Sequence, residues 1–429
     1  MTYKNISRTI VTLEEVASLY DSLHKTPVYV DSGYRMIRVT DIHRGYVNLE
    51  GAKYVDEKTF HEFTKKYTPN IGDTIFTRVG SYGNSCFVNR SLLFCLGQNT
   101  VCLKPHKEEV DAFYLYCCLN SPKIHDQISS LVGGASQPTI SLGNIRSLSI
   151  PLPPLPTQKK IAAILSAYDD LIENNTRRIK ILEEMAQAIY REWFVEFRFP
   201  GHEDVEMVEG PDGRMIPEGW DCKPIGKIIK KDIGGGWGKE DRETKYTEPA
   251  YVIRGTNIPE VNSLKIDGCP LRFHTESNIK NRKLEEFDII MEVSGGGKNF
   301  GVGRVALITG YLLNSFDNDV ICASFCKRMQ VKNDEYPSLL LFLNLLDLYE
   351  RKKLERYQVQ STGIKNFKFK VFLEEEEIII PPKKLIETFL QAVCPIFDLS
   401  QILYLKNQVS IKSRDLLLPR LIEGEIDVS

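Results

Sequence analysis

Met36-Ile37-Arg38-Val39-Thr40-Asp41-Ile42 is answered 216 positions later by Val252-Ile253-Arg254-Gly255-Thr256-Asn257-Ile258. Gly72-Asp73-Thr74-Ile75, with a glycine-bearing loop after it, returns as Phe287-Asp288-Ile289-Ile290 at an offset of 215, again before such a loop. Gln98-Asn99-Thr100-Val101 is echoed by Asp317-Asn318-Asp319-Val320, and Ser149-Ile150-Pro151-Leu152-Pro153-Pro154 by Ile378-Ile379-Ile380-Pro381-Pro382. Four collinear matches, spaced by about half of the 429 residues, predict a tandem repeat.

The composition sets bounds around that repeat. A chain of this length, 42% hydrophobic and 26% charged, has apolar material for more than one core and is far from the disordered classes. No segment reads as a membrane span or a signal peptide, and a cytoplasmic protein is expected. The ten cysteines are irregularly spaced without a C-x-x-C pair, and no two of the seven histidines stand four residues apart. Reduced core thiols and no structural metal are therefore expected. Net charge is -2 overall, but by segment it runs +2 (1–150), -4 (151–209), +4 (210–373) and -4 (374–429). A global sum near zero conceals that alternation, which has the period of the repeat.

Each half starts with a mixed segment of short alternating strands and Gly/Asn/Ser turns, passes a proline punctuation and ends in a long helical pattern. The first helix is predicted to start after Pro156 with Thr157 as N-cap. Its apolar residues fall into heptads, with Ile161, Tyr168, Leu182 and Ile189 at a and Ile164, Leu171 and Met185 at d. Asn175 and Arg178 interrupt the seam, and a buried Asn there fixes register. The second helix, from about Lys383, places Phe389, Ile396, Leu403 and Leu417 at a and Leu385, Ala392 and Leu399 at d, with Pro395 a candidate kink. Two long helices at equivalent places pair most simply with each other, antiparallel. Roughly 39 residues at 1.5 Å each span about 58 Å, close to 17 base pairs at 3.4 Å.

Catalytic motifs are missing. Ser294-Gly295-Gly296-Gly297-Lys298-Asn299 resembles a phosphate loop, but Glu292 stands where a Walker A motif needs its first Gly and Asn299 where it needs Ser or Thr. Gly301-Val302-Gly303-Arg304-Val305-Ala306 fits a loose dinucleotide-binding string without the βαβ context. Leu152 and Ile380 precede the Pro-Pro pairs, so no adenine-methylating motif occurs. Glu374-Glu375-Glu376-Glu377 reads as a solvated turn. What remains is equipment for binding. Arg351, Lys352, Lys353, Arg356, Lys365, Lys368 and Lys370 interleave with Tyr357, Phe367 and Phe369, a pattern suited to phosphates. Matching loops hold Arg78, Ser81, Tyr82, Asn84 and Ser85 in the first half and Lys298 and Asn299 in the second. Arg38, Thr40, Gln137, Arg254, Thr256, Ser361 and Thr362 complete the candidate DNA-contacting set, being residue types that bond base edges and phosphates.

Three long strings carry a resemblance: Ile150-Pro151-Leu152-Pro153-Pro154-Leu155-Pro156-Thr157-Gln158-Lys159-Lys160-Ile161, Met185-Ala186-Gln187-Ala188-Ile189-Tyr190-Arg191-Glu192-Trp193-Phe194-Val195, and Arg414-Asp415-Leu416-Leu417-Leu418-Pro419-Arg420-Leu421-Ile422-Glu423-Gly424-Glu425-Ile426-Asp427. With the duplicated plan, they resemble the specificity subunit of Type I restriction-modification enzymes along essentially the whole chain. The second helix entry departs from the pattern, since Pro381-Pro382-Lys383-Lys384-Leu385 lacks a counterpart of Gln158. The resemblance implies an α+β fold: a tandem duplication of two mixed α/β target-recognition domains (1–154 and 198–382) separated by two long helices (155–197 and 383–429) forming an antiparallel coiled coil. It further implies a non-catalytic subunit that reads a split double-stranded DNA target and docks two methyltransferase subunits, on which restriction/translocase subunits assemble. S-adenosylmethionine, ATP and Mg would then belong to those partners. A free-standing duplicated DNA-binding regulator, or a coiled-coil adaptor, is the alternative.

Inserting four residues after Asn175 approximately keeps the helical face and lengthens the helix by roughly 6 Å, nearly two base pairs. The expected outcome is methylation of the same half-sites across a longer unread spacer, or loss of activity where methyltransferase contacts cannot adapt. An active variant that methylates the original spacing would refute the helices as ruler.

Overall fold

The computed structural model describes residues 9–134, 137–210, 213–295, 301–361 and 364–428. The chain divides into two compact units, residues 1–176 with 406–429, and residues 177–405.

In the first unit an antiparallel sheet runs in the order Ala17–Asp21, Thr100–Pro105, Thr74–Thr77, Ser85–Phe87. A second sheet places Tyr34–Ile37 between antiparallel Lys53–Val55 and parallel Phe94–Leu96. Thr9–Thr12 pairs antiparallel with Ser149–Leu152. The second unit repeats all three: Ile229–Gly234, Cys326–Val331, Ile289–Glu292, Val305–Leu307; Glu248–Ile253 between Leu271–His274 and Asp319–Cys322; and Asp221–Pro224 with Glu377–Ile380. Matched loops also make matched backbone bonds. Gly97 N–H donates to Ile37 O as Ala323 N–H does to Ile253 O, both at 2.8 Å, and Ser22 N–H to Thr100 O as Gly235 N–H to Cys326 O, both at 3.1 Å.

This topology confirms three of the four repeat landmarks and corrects the third. Thr100-Val101 opens the strand equivalent to Cys326–Val331, whereas Asp319-Val320 opens the strand equivalent to Phe94–Leu96. Both segments are an asparagine turn feeding a β-branched strand, so local chemistry alone aligned them. The second landmark has a shared cause. Asp73 accepts the Asn70 N–H at 2.7 Å and the Tyr67 hydroxyl at 2.8 Å, while Asp288 accepts the Glu285 N–H at 2.7 Å and Arg328 Nε at 2.6 Å. The residue before each aspartate lies at positive φ, +94° at Gly72 and +70° at Phe287. Glycine meets that turn without strain; phenylalanine does not.

The first long helix spans Leu155–Phe194 and the second Lys383–Glu423. The first starts two residues before the expected place, because proline is tolerated in a first turn whose N–H groups lack intrahelical partners; the Thr157 N–H donates to Pro154 O instead. The second continues through Pro395. Within the first unit Ile161, Ala162 and Leu165 share a core with Leu418, Leu421 and Ile422. Within the second unit the Phe194 and Phe389 rings are 4.8 Å apart, and Tyr404 donates to Glu183 at 2.8 Å. In each unit residues early on one helix meet residues late on the other, so the packed pair is antiparallel.

The heptad phase needs correction. Leu165, Ile179 and Ala186 are buried, while Ile164, Leu171 and Met185 are exposed. On the second helix Ile386, Val393 and Ser400 are buried, whereas Leu385 and Leu399 are half-buried and Ala392 exposed. Ile161, Phe389 and Leu403 stay in the seam, buried, with Tyr168, Leu182, Ile189, Ile396 and Leu417 half-buried. The shift has a plain reason: much of the true seam is polar. Asn175, 2% exposed, donates to Asn407 Oδ1 at 3.0 Å, Asn407 Nδ2 reaches Thr176 Oγ1 at 3.2 Å, and Arg414 pairs with Asp169, both buried. Counting apolar residues moved the pattern onto the neighbouring column. Arg178, exposed, lies outside the seam.

By length and composition the second helix could cross a membrane. Its Ile386, Phe389 and Val393 are instead buried in a protein core, and its seam carries Asn407 and Arg414.

Asp169→Ala removes the buried partner of Arg414 Nη1 and leaves that guanidinium, only 9% exposed, with the more exposed Asp415 as its remaining carboxylate. Loss of one partner of a buried pair costs about 3–5 kcal/mol. Urea unfolding is expected to show a loss of that size; a loss under ~1 kcal/mol would mean that the pair does not hold the seam.

Candidate nucleic-acid interface

In both units an arginine at the end of the central strand of the three-stranded sheet builds a short turn. Arg38 Nη2 donates to Asp41 Oδ1 at 2.7 Å and Nε to Oδ2 at 2.9 Å, while the Arg38 N–H closes the turn on the same carboxylate. Burial pushes the Asp41 carboxyl up, but the bonds from Arg38 prevail and hold it below the usual range. Arg254 Nε donates to Asn257 Oδ1 at 2.9 Å and Nη2 to Gly268 O at 2.7 Å. These arginines are engaged within the protein, and the turns present Thr40 and Thr256, both exposed.

The first unit also brings two loops together. Arg78 N–H donates to Asn99 O, Gly80 N–H to Pro138 O and Ile140 N–H to Arg78 O. Arg78 pairs with Asp21 at 2.9 Å and is 12% exposed, so it locks the loops. Ser81 and Gln137 are left exposed on adjoining loops, Tyr82 rests partly buried against the core, and Asn84 is half-buried. Ser85 is fully buried and accepts from Asn120 Nδ2 at 2.7 Å; it is structural, contrary to expectation.

In the second unit Lys298, Asn299 and Thr362 lie outside the described residues, as does the Ser361 side chain. Ser294–Gly295 pairs with the hairpin strand Ile364–Phe367, with Gly295 opposite Lys365. Lys353 is exposed. The Arg356 guanidinium binds the Tyr357 hydroxyl at 2.8 Å and the Glu376 carboxylate. Tyr357, Phe367 and Phe369 are core residues, not a surface interleaving with the basic ones, and Glu376 is buried rather than solvated.

The sequence-based candidates missed one feature. A cavity of about 560 Å³ opens beside Arg254, Thr256 and Glu292, and the rings of Trp237 and Phe325 line it. Both rings are exposed, at 41% and 60%. The available signal was a lone tryptophan inside Gly234-Gly235-Gly236-Trp237-Gly238. Among the described residues no group of three or more His, Cys, Asp or Glu is placed to hold a metal.

Residues 10–184 match the family described as Type I restriction modification DNA specificity domain. The Type I restriction enzyme MjaIX specificity subunit of Methanocaldococcus jannaschii is 25% identical over 389 residues, covering 88% of this chain and 83% of that one. The HindI specificity subunit of Haemophilus influenzae is 22% identical, covering 83% and 86%. These matches support a Type I restriction-modification specificity subunit, with the DNA specificity domain matched over residues 10–184. Its fold agrees: the crystal structure of an S subunit from M. genitalium superposes with a TM-score of 0.56, covering 99% of this chain and 98% of that one at 17% identity. As a specificity subunit it recognises DNA within its complex and is non-catalytic; the cofactors of the reaction bind the methyltransferase and restriction subunits.

Two kinds of serine separate in this specificity subunit. Ser85→Ala leaves an Asn120 donor unpaired in the core and is expected to cost about 1–3 kcal/mol of stability. Ser81→Ala and Gln137→Ala remove exposed groups, so stability should stay within about 0.5 kcal/mol while affinity for target DNA falls. Paired thermal unfolding and DNA-binding measurements check this; a loss of stability in the exposed variants, with affinity intact, contradicts it.

Proposed function

We propose that this specificity subunit reads a bipartite double-stranded DNA target, one half-site with residues 1–154 and the other with residues 198–382. Residues 155–197 and 383–429 act as the spacer helices and as the scaffold for two methyltransferase subunits, through which restriction/translocase subunits assemble in the cytoplasm. The duplication carries this reading: one strand framework occurs twice, with different side chains on matched loops. Thr40, Ser81, Gln137, Thr256 and Lys353 are exposed where they can touch DNA, Lys298, Asn299, Ser361, Thr362 and Lys365 join them by sequence, and Arg38, Arg78, Arg254 and Arg356 hold those surfaces in shape.

Support for docking on the helices comes from their outward faces. Ile164 and Leu171 are exposed at seven-residue spacing on the first helix, as are Val409 and Leu416 on the second. Apolar side chains repeated along one helix face are what a partner helix would cover.

Replacing residues 1–150 by the equivalent segment of another specificity subunit is expected to change one half of the methylated target, read by mapping modified adenines, and to leave the other half intact. A change in both halves contradicts modular reading. Affinity capture of the intact chain should bring down a methyltransferase; a chain that binds its target alone favours a free-standing regulator.

A further inference from the structure

The two units can be compared atom by atom at the loop that closes each four-stranded sheet. Arg78 N–H donates to Asn99 O and Val293 N–H to Phe325 O, both at 2.9 Å, which makes Phe325 the counterpart of Asn99. Ser22 and Gly235 make the same bond to Thr100 and Cys326, so counting two residues on makes Trp237 the counterpart of His24. The backbone is shared, yet at two exposed positions the second unit carries large aromatics where the first carries polar residues.

The segment around Trp237 is built to display it. A Cβ at Gly235 would stand 2.1 Å from Cys322 O, and one at Gly238, where φ is +69°, 2.6 Å from Phe273 O. Glycines are therefore required on either side, and the strap lies directly on the sheet with one large side chain. That side chain enters no core. Its indole has the Arg272 guanidinium 4.8 Å from the ring centroid, and its other neighbours across the cavity are Arg254, Thr256 and Phe325. Both guanidinium groups are engaged, Arg272 with Glu240 and Arg254 with Asn257 and Gly268, so they brace the site while the two exposed rings offer an apolar surface to base edges. Apolar side chains also contact the thymine methyl group.

We infer that Trp237 and Phe325 are specificity-determining contacts of the second unit, making aromatic contact with bases of its half-site at this cavity, while His24 and Asn99 occupy the corresponding places in the first unit. This rests on the reading of the chain as a DNA specificity subunit. It explains how one framework, used twice, recognises two different half-sites.

The test uses the full chain assembled with its methyltransferase subunits and duplexes altered in either half-site. Trp237→Ala and Phe325→Ala are expected to weaken binding of the intact target roughly 5- to 100-fold, the span of a lost base contact in a duplex site, and to relax discrimination at the second half-site alone. Trp237→Tyr, which keeps a stacking ring, should retain most of the affinity. Unchanged affinity and discrimination in both alanine variants, while the wild-type complex still selects its target, would overturn the inference and leave the DNA-recognition reading standing. A wild-type complex without sequence preference would overturn both. Loss of the methyltransferase from the alanine variants would assign the rings to a protein contact and overturn the inference alone.

Discussion

Arg414 and Asp169 meet inside a helix pair whose seam mixes apolar side chains with buried polar ones, and the phase of that pair depends on their meeting. Burial pushes the Asp169 carboxyl up against the pull of the guanidinium, so the charges are tolerated only as a pair. An apolar seam packs nearly as well after sliding by a heptad, roughly 10.5 Å of helix. A seam with one buried ion pair and one amide pair, Asn175 with Asn407, packs in one register, because every other register leaves a polar group unsatisfied. The stability given up relative to an all-leucine seam is the cost of a defined length. The same site ties the helices to the strand domain of the first unit, since Arg44 pairs with Asp415 at 2.9 Å and the Tyr46 hydroxyl donates to Asp170 at 2.5 Å.

The duplicated framework separates what must be constant from what can vary. Strand order, the Asx turn at Asp73 and Asp288, and the backbone bonds at Gly97 and Ala323 recur because each satisfies buried backbone groups that have no alternative partner. The side chains at the loop apices bear no such duty. His24 and Trp237, or Asn99 and Phe325, differ completely without disturbing the strands beneath them.

This division also governs how much was legible in the sequence. The repeat was readable at Arg38 and Arg254 because the guanidinium caps its own turn, a constraint confined to a few consecutive residues. The helix seam was legible to within one residue: Ile161, Asn175 and Phe389 are buried seam positions as read, but Asp169, Asn407 and Arg414 carry no apolar signal, and Ile164, Leu171 and Met185 supplied a false one on the exposed face. Ser85 was unreadable because its partner Asn120 lies 35 positions away. Tyr357, Phe367 and Phe369 were misplaced for a related reason, since alternation with lysines is the pattern of an aromatic surface and equally of a strand or turn with one buried side. Trp237 escaped because its meaning depends on the contacts of the glycines around it.

The charged residues that sequence reading nominated for DNA turn out largely to be committed inside the protein. Arg38, Arg78, Arg254 and Arg356 each hold a carboxylate, an amide or a carbonyl, and the whole chain has a net charge of -2. Non-specific affinity for DNA grows with the number of phosphates that lysine and arginine neutralise. Each of these four guanidinium groups held by a protein partner is one fewer to neutralise phosphates of random DNA, which shifts the proposed recognition toward base contacts from hydroxyl, amide and aromatic side chains. Weak non-specific binding raises the ratio of target to background occupancy, which is the quantity a specificity subunit must deliver among a genome of competing sites.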